Sequence, residues 1–372
     1  MTADNPKRNL KIAIVAGEKS GDELGGPLME NLKSAYPSID FIGVGGEKMT
    51  SAGLVSQFDM NEIAVMGIIE PLLKLRKIIG LRKGLKNFIL NERPDLFIGI
   101  DSPDFNLPIA RLLKKKLNIK TVQYVSPSVW AWRKGRIKAM EKSVDSVLTI
   151  FPFEESAYSG SNIKVSYVGH PLSYEISMTK EQIDNKISNS IALLPGSRRS
   201  EVLHIGDLMI KAARILKAMN SKFEFFMPLS NKDHLNLFNE DLEEYINISY
   251  GDAKDVLKKV ELSITTSGTA TLESVLSFTP CLTVYKTNWL SYLLIKPLLN
   301  IDTFSLPNLI MEKKFLPELL QGDVTIQNIV NSVQSILDGD RQSYENKFLK
   351  IKESLMAGGA EKASNEILRL IN

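Results

Sequence analysis

The chain has 372 residues, of which 44% are hydrophobic and 24% charged, and it contains one cysteine and three histidines. These values are typical of a globular protein long enough for two domains. They exclude an internal disulfide, and the few cysteine and histidine residues lack the spacing of a metal site, so we expect no metal ion. The net charge is +3 and its positive excess lies in residues 1–170, which indicates an anionic surface or partner there, although solvated helix faces commonly cause such runs.

No part of the sequence has the features of a targeting or membrane-spanning segment. The first ten residues are polar, and the apolar run 12–16 that follows them is too short for a signal peptide. No stretch reaches the roughly 18 apolar residues that a membrane span needs. We therefore expect a soluble or peripheral protein.

Short β-rich runs alternate with segments of helical length along the whole chain. Because these runs are largely apolar, they predict parallel strands covered on both faces. Two such sets in succession predict an α/β fold, with two Rossmann-like doubly wound parallel-sheet domains facing across a cleft. The expected domains are residues 1–170 and 171–372, with the last helices either in the second domain or packed back on the first. The predicted strands are 11–16, 40–44, 96–100, 120–125, 146–150, 164–168, 190–194, 223–227, 246–250, 262–265 and 281–285.

Residues 264–273 predict a strand that turns through Ser267, Gly268 and Thr269 into a helix. The free N–H groups and the positive dipole end of such a helix favour an anion, most often a phosphate. Glu273, one turn into the helix, would repel phosphate, but its carboxylate suits the two hydroxyls of a ribose. The alternative is an ordinary strand-to-helix turn, which short motifs of this kind often are.

A second anion site is predicted where the first strand of the second half ends. Gly196, Ser197 and Arg198 follow that strand, and they offer backbone donors, a hydroxyl and a forked cation to a phosphate. Together with Ser267–Thr269 they predict a diphosphate clamp in the same domain. Two anion sites and one carboxylate suited to ribose outweigh the ordinary-turn interpretation.

In the first half, the loop 16–22 is rich in glycine but matches no standard nucleotide motif. It lacks the glycine spacing of a dinucleotide fingerprint, and Pro27 stands where a P-loop requires lysine. These mismatches argue against a dehydrogenase or an NTPase. A further candidate is Asp101, which closes an apolar strand where an unpaired carboxylate is costly. Helix capping and catalysis explain Asp101 about equally well from the sequence alone.

Residues 64–90 combine apolar side chains with a cluster of lysine and arginine. A basic apolar helix is typical of a membrane-surface element. The alternative is a core helix with snorkelling basic residues, because the two kinds of side chain are imperfectly sorted on the helix. The candidate membrane or acyl contacts are Val65, Met66, Ile68, Ile69 and Leu72.

Several segments together resemble the lipid-A-disaccharide synthase family, glycosyltransferases of GT-B architecture, over nearly the whole length. The most specific is Tyr-Val-Ser-Pro-Ser-Val-Trp-Ala-Trp-Arg at 124–133. The others are Ala-Gly-Glu-Lys-Ser-Gly-Asp at 16–22, Val-Met-Gly-Ile-Ile-Glu at 65–70, Gly-Ile-Asp-Ser-Pro-Asp-Phe-Asn at 99–106, Leu-Leu-Pro-Gly-Ser-Arg at 193–198, Ser-Gly-Thr-Ala at 267–270 and Ser-Leu-Pro-Asn-Leu at 305–309.

The resemblance implies transfer of 2,3-diacylglucosamine from its UDP derivative to 2,3-diacylglucosamine 1-phosphate, with inversion and without a metal or other cofactor. The product is the β-1,6 lipid A disaccharide 1-phosphate, and UDP is released. Asp101 is our candidate for the base, with Glu18 in reserve. Ser20, Gly21, Asp22 and Asn308 belong to matching motifs and join the substrate-binding candidates named above.

The resemblance also implies a peripheral enzyme on the cytoplasmic face of the inner membrane, with an anionic membrane surface as partner and no nucleic acid. Monomer and homodimer stay open. The nearest alternative is another UDP-sugar glycosyltransferase with a membrane acceptor. A UDP-sugar epimerase of the same architecture is a further alternative, and the basic apolar segment argues against it. A non-catalytic nucleotide-binding protein would not need Asp101.

Overall fold

The computed structural model describes residues 9–63, 70–130, 135–288, 292 and 302–371. For residues 70–76 this description covers the backbone. The chain divides into two compact units: the first comprises Met1–Pro171 with Leu355–Asn372, and the second comprises Leu172–Ser354. Each unit contains its own parallel sheet with helices between the strands.

Seven strands in the described part of the first unit form one parallel sheet. They are β1 (Leu10–Ala16), β2 (Ile39–Val44), β3 (Val55–Ser56), β4 (Leu96–Ile100), β5 (Lys120–Tyr124), β6 (Ser146–Thr149) and β7 (Lys164–Tyr167). Their spatial order is β3-β2-β1-β4-β5-β6-β7. The order changes direction between β1 and β4, which pair with Ala16 opposite Ile100. Ligands of open α/β sheets bind outside the carboxyl ends of the strands at such a switch point.

The helices of the first unit follow strands, as a parallel sheet requires, because each crossover must return the chain to the same end of the sheet. They are Lys19–Ala35, Glu47–Ser51, Glu70–Glu92, Pro103–Leu117, Arg136–Met140 and Gly359–Ile371, with 3-10 turns at Met60–Glu62 and Pro152–Tyr158. β4 is buried along its whole length. Its uninterrupted apolar sequence is typical of a strand covered on both faces.

The second unit contains a six-stranded parallel sheet within its described residues. Its strands are β8 (Ile187–Leu194), β9 (Glu224–Leu229), β10 (Ile246–Tyr250), β11 (Val260–Thr266), β12 (Cys281–Tyr285) and β13 (Glu318–Leu320). The order is β10-β9-β8-β11-β12-β13, so the switch point lies between β8 and β11. These two strands end side by side, with Leu194 opposite Thr265.

Two helices of the second unit, Arg199–Met219 and Ile326–Leu337, share a core of aliphatic and aromatic side chains with β8, β9, β11 and β12. The other described helices of this unit are Leu172–Glu175, Lys180–Asp184, Ala253–Lys259, Thr269–Leu276, Leu306–Ile310 and Arg341–Leu355, with 3-10 turns at Lys232–Leu237 and Gln321–Asp323. Among the described helices, none combines the length and the apolar character that crossing a bilayer requires.

The last helix, Gly359–Ile371, packs against Lys19–Ala35 in the first unit. Glu366 on this helix accepts a hydrogen bond from the hydroxyl of Ser166 at 3.1 Å and lies 2.9 Å from the Lys164 ammonium. The hydrogen bond from Lys164 lowers the pKa of the Glu366 carboxyl. The last helix is therefore held by packing on Lys19–Ala35 and by a charged contact with β7.

Candidate active-site loops at the two switch points

Asp101 lies directly after β4, next to the end of β1. Its backbone φ is 51° and that of Ser102 is 37°, both in the left-handed region. One carboxylate oxygen, Oδ1, accepts from the N–H of Ser102 at 2.9 Å, and Oδ2 accepts from the hydroxyl of Ser20 at 3.1 Å. Asp101 is half-buried. A carboxylate that is oriented by two donors and still reaches solvent suits a general base, which must contact the proton that it removes.

The glycine-rich loop after β1 contacts the loop that carries Asp101. A Cβ atom on Gly17 would lie 2.5 Å from the Ser102 hydroxyl oxygen, so the two loops approach closely because residue 17 is glycine. Glu18 is the extended N-cap residue of helix Lys19–Ala35, and its carbonyl accepts from the N–H of Gly21 at 2.9 Å. The structure thus brings Ser20 to Asp101 and leaves Glu18 exposed at the start of the same helix.

Asp22, a predicted substrate contact, is 6% exposed. Its Oδ1 accepts from the N–H groups of Gly46 at 2.9 Å and Met49 at 3.0 Å, and its Oδ2 accepts from that of Lys48 at 3.0 Å. Carboxylates favour helix N-termini because they satisfy free donors there. The observed role of Asp22 is therefore to fix the start of the helix Glu47–Ser51, and its contact with substrate stays a prediction.

Glu154, which the sequence did not single out, is a buried carboxyl beyond the end of β6. It accepts hydrogen bonds from the N–H groups of Ile150 and Phe151, both at 3.0 Å, and from the side chain of Trp130. Burial raises the pKa of Glu154 to about 7. Trp130 belongs to the motif 124–133, of which residues 131–133 lie outside the described residues. Glu154 therefore anchors the described part of that motif.

In the second unit, the loop after β8 carries the predicted phosphate contacts Gly196, Ser197 and Arg198. The N–H groups of Ser197 and Arg198 both donate to Oε2 of Glu201 at 3.1 Å, and the Arg198 guanidinium bonds the other oxygen at 2.9 Å. Gly196 has φ of 114°, and a Cβ atom there would lie 2.4 Å from Glu201 Oε2. The loop is thus an anion-binding turn whose donors hold the carboxylate of Glu201.

The loop after β11 carries the second predicted phosphate contact, and it emerges beside the first because β8 and β11 are neighbours. The hydroxyl of Ser267 donates to the Phe304 carbonyl at 3.1 Å. Gly268 has φ of 144°, which favours glycine, and it opens the helix Thr269–Leu276. Gly268 and Thr269 are exposed. Ser267 therefore joins this loop to the turn at residue 304, while Gly268 and Thr269 face solvent.

Glu273 lies in the second turn of the same helix. Burial raises the pKa of its carboxyl, the nearby Lys254 lowers it, and the carboxylate of Glu175 raises it. Lys254 itself pairs with Glu175 at 2.9 Å. A partly buried carboxylate with a raised pKa gains from hydroxyl donors that satisfy its oxygens, so this environment is compatible with the predicted ribose contact.

Asn308 is completely buried, and both ends of its amide are bonded inside the protein. Its nitrogen donates to the Leu316 carbonyl and to Glu318 Oε1, both at 2.9 Å, and its oxygen accepts from the N–H groups of Phe315 and Leu316 at 3.1 Å. Glu318 also accepts from the N–H of Ser305 at 2.9 Å. Asn308 and Glu318 therefore hold the turn that contacts Ser267, and a substrate contact by Asn308 stays a prediction.

The predicted membrane contacts fall where the structure gives no side-chain information. Val65, Met66, Ile68 and Ile69 lie outside the described residues, and Leu72 lies in the helix Glu70–Glu92 within the stretch whose side chains are not described.

Two parallel α/β sheets in succession are the arrangement of the GT-B fold, which solved structures of low sequence identity share with this chain. A family model described as Lipid-A-disaccharide synthetase matches residues 12–370. The chain belongs to this family, which confirms the resemblance inferred from the motifs. The two parallel sheets confirm the predicted pair of doubly wound α/β domains.

A relative and two solved structures illustrate the match. The lipid-A-disaccharide synthase of Idiomarina loihiensis is 38% identical over 369 residues, covering 96% of this chain and 97% of the relative. The glycotransferase of kitacinnamycin superposes with a TM-score of 0.66 at 13% identity, covering 98% of this chain and 100% of that one. The UDP-GlcNAc 2-epimerase of Neisseria meningitidis gives 0.64 at 14% identity, covering 97% and 100%. Transferases and epimerases share this fold, so the family match, rather than the fold, separates the two.

Proposed function

We propose that the enzyme transfers 2,3-diacylglucosamine from its UDP derivative to the 6-hydroxyl of 2,3-diacylglucosamine 1-phosphate. The products are the β-1,6 disaccharide 1-phosphate and UDP. The observation that carries the proposal is the family match over residues 12–370. The loops at the two switch points support it. The loop after β4 offers the carboxylate of Asp101, and the loops after β8 and β11 offer groups that can bind an anion.

We assign the acceptor to the first unit and the role of base to Asp101. The acceptor oxygen forms its bond to the anomeric carbon as the bond from that carbon to the UDP oxygen breaks, and the hydroxyl proton passes to Asp101. The hydrogen bonds from Ser20 and Ser102 orient the carboxylate before the substrate arrives. A base of this kind accelerates a reaction about a hundred- to ten-thousandfold. Glu18, exposed at the start of the next helix, is the reserve.

We assign the donor to the second unit. The diphosphate is proposed to contact Ser197 and Arg198 in one loop and Gly268 and Thr269 in the other, with Glu273 on the ribose. Negative charge that develops on departing UDP is stabilised by donors and cations that are fixed beforehand. The proposal needs no metal ion and no other cofactor.

The four acyl chains of the two substrates require contact with a lipid surface, and we propose the anionic cytoplasmic face of the inner membrane. Helix Glu70–Glu92 supports this, because Lys77 and Lys83 are exposed and Ile79 is 46% exposed. Basic residues near anionic lipid each contribute about 1 kcal/mol. The triple replacement of Ile68, Ile69 and Leu72 by serine is expected to reduce binding to anionic vesicles. Lower thermal stability with unchanged vesicle binding would instead identify a core helix.

The reaction is tested by incubating purified protein with both lipid substrates and resolving the products by mass. We expect a disaccharide 1-phosphate that forms only when donor and acceptor are both present. Replacing the donor by UDP-N-acetylglucosamine should abolish the product. Transfer from UDP-N-acetylglucosamine would instead identify another UDP-sugar transferase with a different membrane acceptor. Interconversion of the sugar nucleotide without acceptor would identify an epimerase.

A further inference from the structure

Three residues that are not glycine have left-handed backbones where β4 and β5 end. The φ angles are 51° at Asp101, 37° at Ser102 and 75° at Val125. This region is sterically unfavourable for side chains, and a β-branched residue such as Val125 is a genuine outlier there. Strained residues of this kind persist only when their surroundings hold them, and they cluster at functional sites.

Two buried amide side chains hold this backbone. Asn106, which is completely buried, donates through Nδ2 to the carbonyl oxygens of Asp101 at 3.0 Å and Ile100 at 3.2 Å. Gln123, 1% exposed, donates through Nε2 to the same Asp101 carbonyl at 2.9 Å and to that of Val125 at 3.3 Å. Two amides from different elements thus converge on one carbonyl oxygen.

The direction of the Asp101 carboxylate depends on this backbone. Its Oδ1 accepts from the N–H of Ser102, the next residue, so rotation of the peptide between them would move the acceptor away from its donor. The peptide oxygen at this bond is the one that Asn106 and Gln123 hold. The amides therefore control a carboxylate that neither of them touches.

We propose that Asn106 and Gln123 are positioning residues that set the direction of the Asp101 carboxylate toward the acceptor hydroxyl. This inference rests on the proposed role of Asp101 as base. The alternative is that the two amides only satisfy carbonyl groups at the strand ends. The two explanations differ, because a positioning role acts through Asp101 and has no effect once the carboxylate is removed.

The test compares Gln123→Met, which keeps the side-chain length and removes the donor, with Thr149→Val as a matched control. Thr149 is a fully buried polar residue at the end of β6, and its hydroxyl has no hydrogen-bond partner among the described residues. We expect Gln123→Met to lower kcat about ten- to a hundredfold, as small misplacements of catalytic groups do. KM, UDP affinity and the control should change by less than about twofold.

A double variant separates positioning from scaffolding, because residues that act through one group are not additive. In an Asp101→Asn background, Gln123→Met should lower the residual kcat by less than about twofold. The positioning role alone would be overturned if Gln123→Met lowered kcat equally in wild-type and Asp101→Asn protein. It would also be overturned if Gln123→Met had normal kcat while Asp101→Asn was impaired. Normal turnover of Asp101→Asn would overturn the base assignment and this inference with it.

Discussion

The loop that carries Asp101 in the first unit and the loops around the predicted phosphate contacts in the second unit are held by opposite chemistry. In the first unit, the neutral amides of Asn106 and Gln123 donate to carbonyl oxygens around Asp101. In the second, the carboxylates of Glu201 and Glu318 accept from backbone N–H groups of the loop after β8 and of the turn before residue 306. The loop around Asp101 is therefore held through its backbone carbonyl groups, whereas the loop after β8 and the turn at Ser305 are held through their backbone N–H groups.

This difference matches what each unit is proposed to bind. A base must present a carboxylate whose direction is fixed while its oxygens still reach a hydroxyl. Neutral amides that bond the backbone carbonyl of the base fix this direction and leave the carboxylate oxygens accessible. Loops that receive a diphosphate need N–H groups that are already oriented, because preorganised donors cost no reorganisation when charge develops. Glu201 keeps the N–H groups of Ser197 and Arg198 oriented in this way.

The largest expected effect concerns the first unit. Asp101→Asn should lower kcat at least about a hundredfold, because the amide cannot accept the hydroxyl proton. The control is Asp104→Asn on the following helix, whose carboxylate is 87% exposed and pairs with Arg136. Steady-state kinetics with both lipid substrates measure the effect. If Asp101→Asn and Asp104→Asn have equal turnover, Asp101 is not the base, and the first unit then supplies no catalytic carboxylate at this loop.

The next effect concerns the amide of the second unit. Because Asn308 makes all its hydrogen bonds inside the protein, we expect Asn308→Ala to lower the free energy of unfolding by about 2 kcal/mol, through unpaired groups left on Phe315, Leu316 and Glu318. Urea titration measures this, with the exposed Asn331→Ala as control. If stability is unchanged and only UDP affinity falls, Asn308 contacts the donor after all.

The sequence predicted the architecture because long apolar strands have a strong pattern. Each of the eleven predicted strands is present, from β1 to β12 with the exception of β3. The two that were missed, β3 and β13, have two and three residues, and strands this short contain too few positions to show a period. Both lie at an edge of their sheet, where fewer side chains are buried.

The candidate site was predicted less completely, for a physical reason. Asp101 was visible because a charged residue that closes an apolar strand is unusual. Gln123 offered the same signal, a polar residue inside a buried strand, but its partner is a carbonyl 22 residues away. Glu318 bonds a turn 13 residues earlier in the chain. A side chain that bonds backbone outside its own motif produces no recognisable spacing in the sequence. A motif therefore cannot tell whether Asn308 stabilises the fold or contacts a ligand.

A smaller effect tests Glu273, the partly buried carboxylate of the second unit. Glu273→Ala should weaken UDP binding about tenfold, roughly the value of one hydrogen bond to a charged group. Isothermal titration calorimetry measures this, and Glu175→Ala, the neighbouring carboxylate in the pair with Lys254, is the control. Unchanged UDP affinity of Glu273→Ala would refute the ribose assignment.

The same residue predicts how UDP affinity depends on pH. Burial raises the pKa of Glu273, and the ionised form is the one that accepts two hydroxyl donors. UDP affinity should therefore fall on acidification at a pH above the ordinary range of a glutamate. The ratio of wild-type to Glu273→Ala affinity isolates this residue from the titration of UDP itself. A ratio that stays constant with pH would contradict the prediction.

The last effect, which is small per pH unit, concerns the buried carboxyl of the first unit. Burial raises the pKa of Glu154 to about 7 from an ordinary 4.5, so the folded protein binds this proton more tightly than the unfolded chain does. The resulting stabilisation is complete below the unfolded pKa and is lost as the pH rises toward 7. Wild-type protein should lose up to about 1 kcal/mol per pH unit in this window relative to Glu154→Gln, whose neutral amide oxygen still accepts from Ile150 and Phe151.

Urea titrations at pH 5, 6, 7 and 8 measure this difference, with Glu155→Gln as the exposed neighbour. Parallel curves for wild-type and Glu154→Gln would mean that the carboxyl is ionised throughout and that its hydrogen bonds, including the one from Trp130, outweigh burial. In that case Glu154 would join Asp22 as a buried carboxylate that backbone donors hold in the first unit. The contrast with the second unit rests on the loop around Asp101, where amides rather than carboxylates hold the backbone.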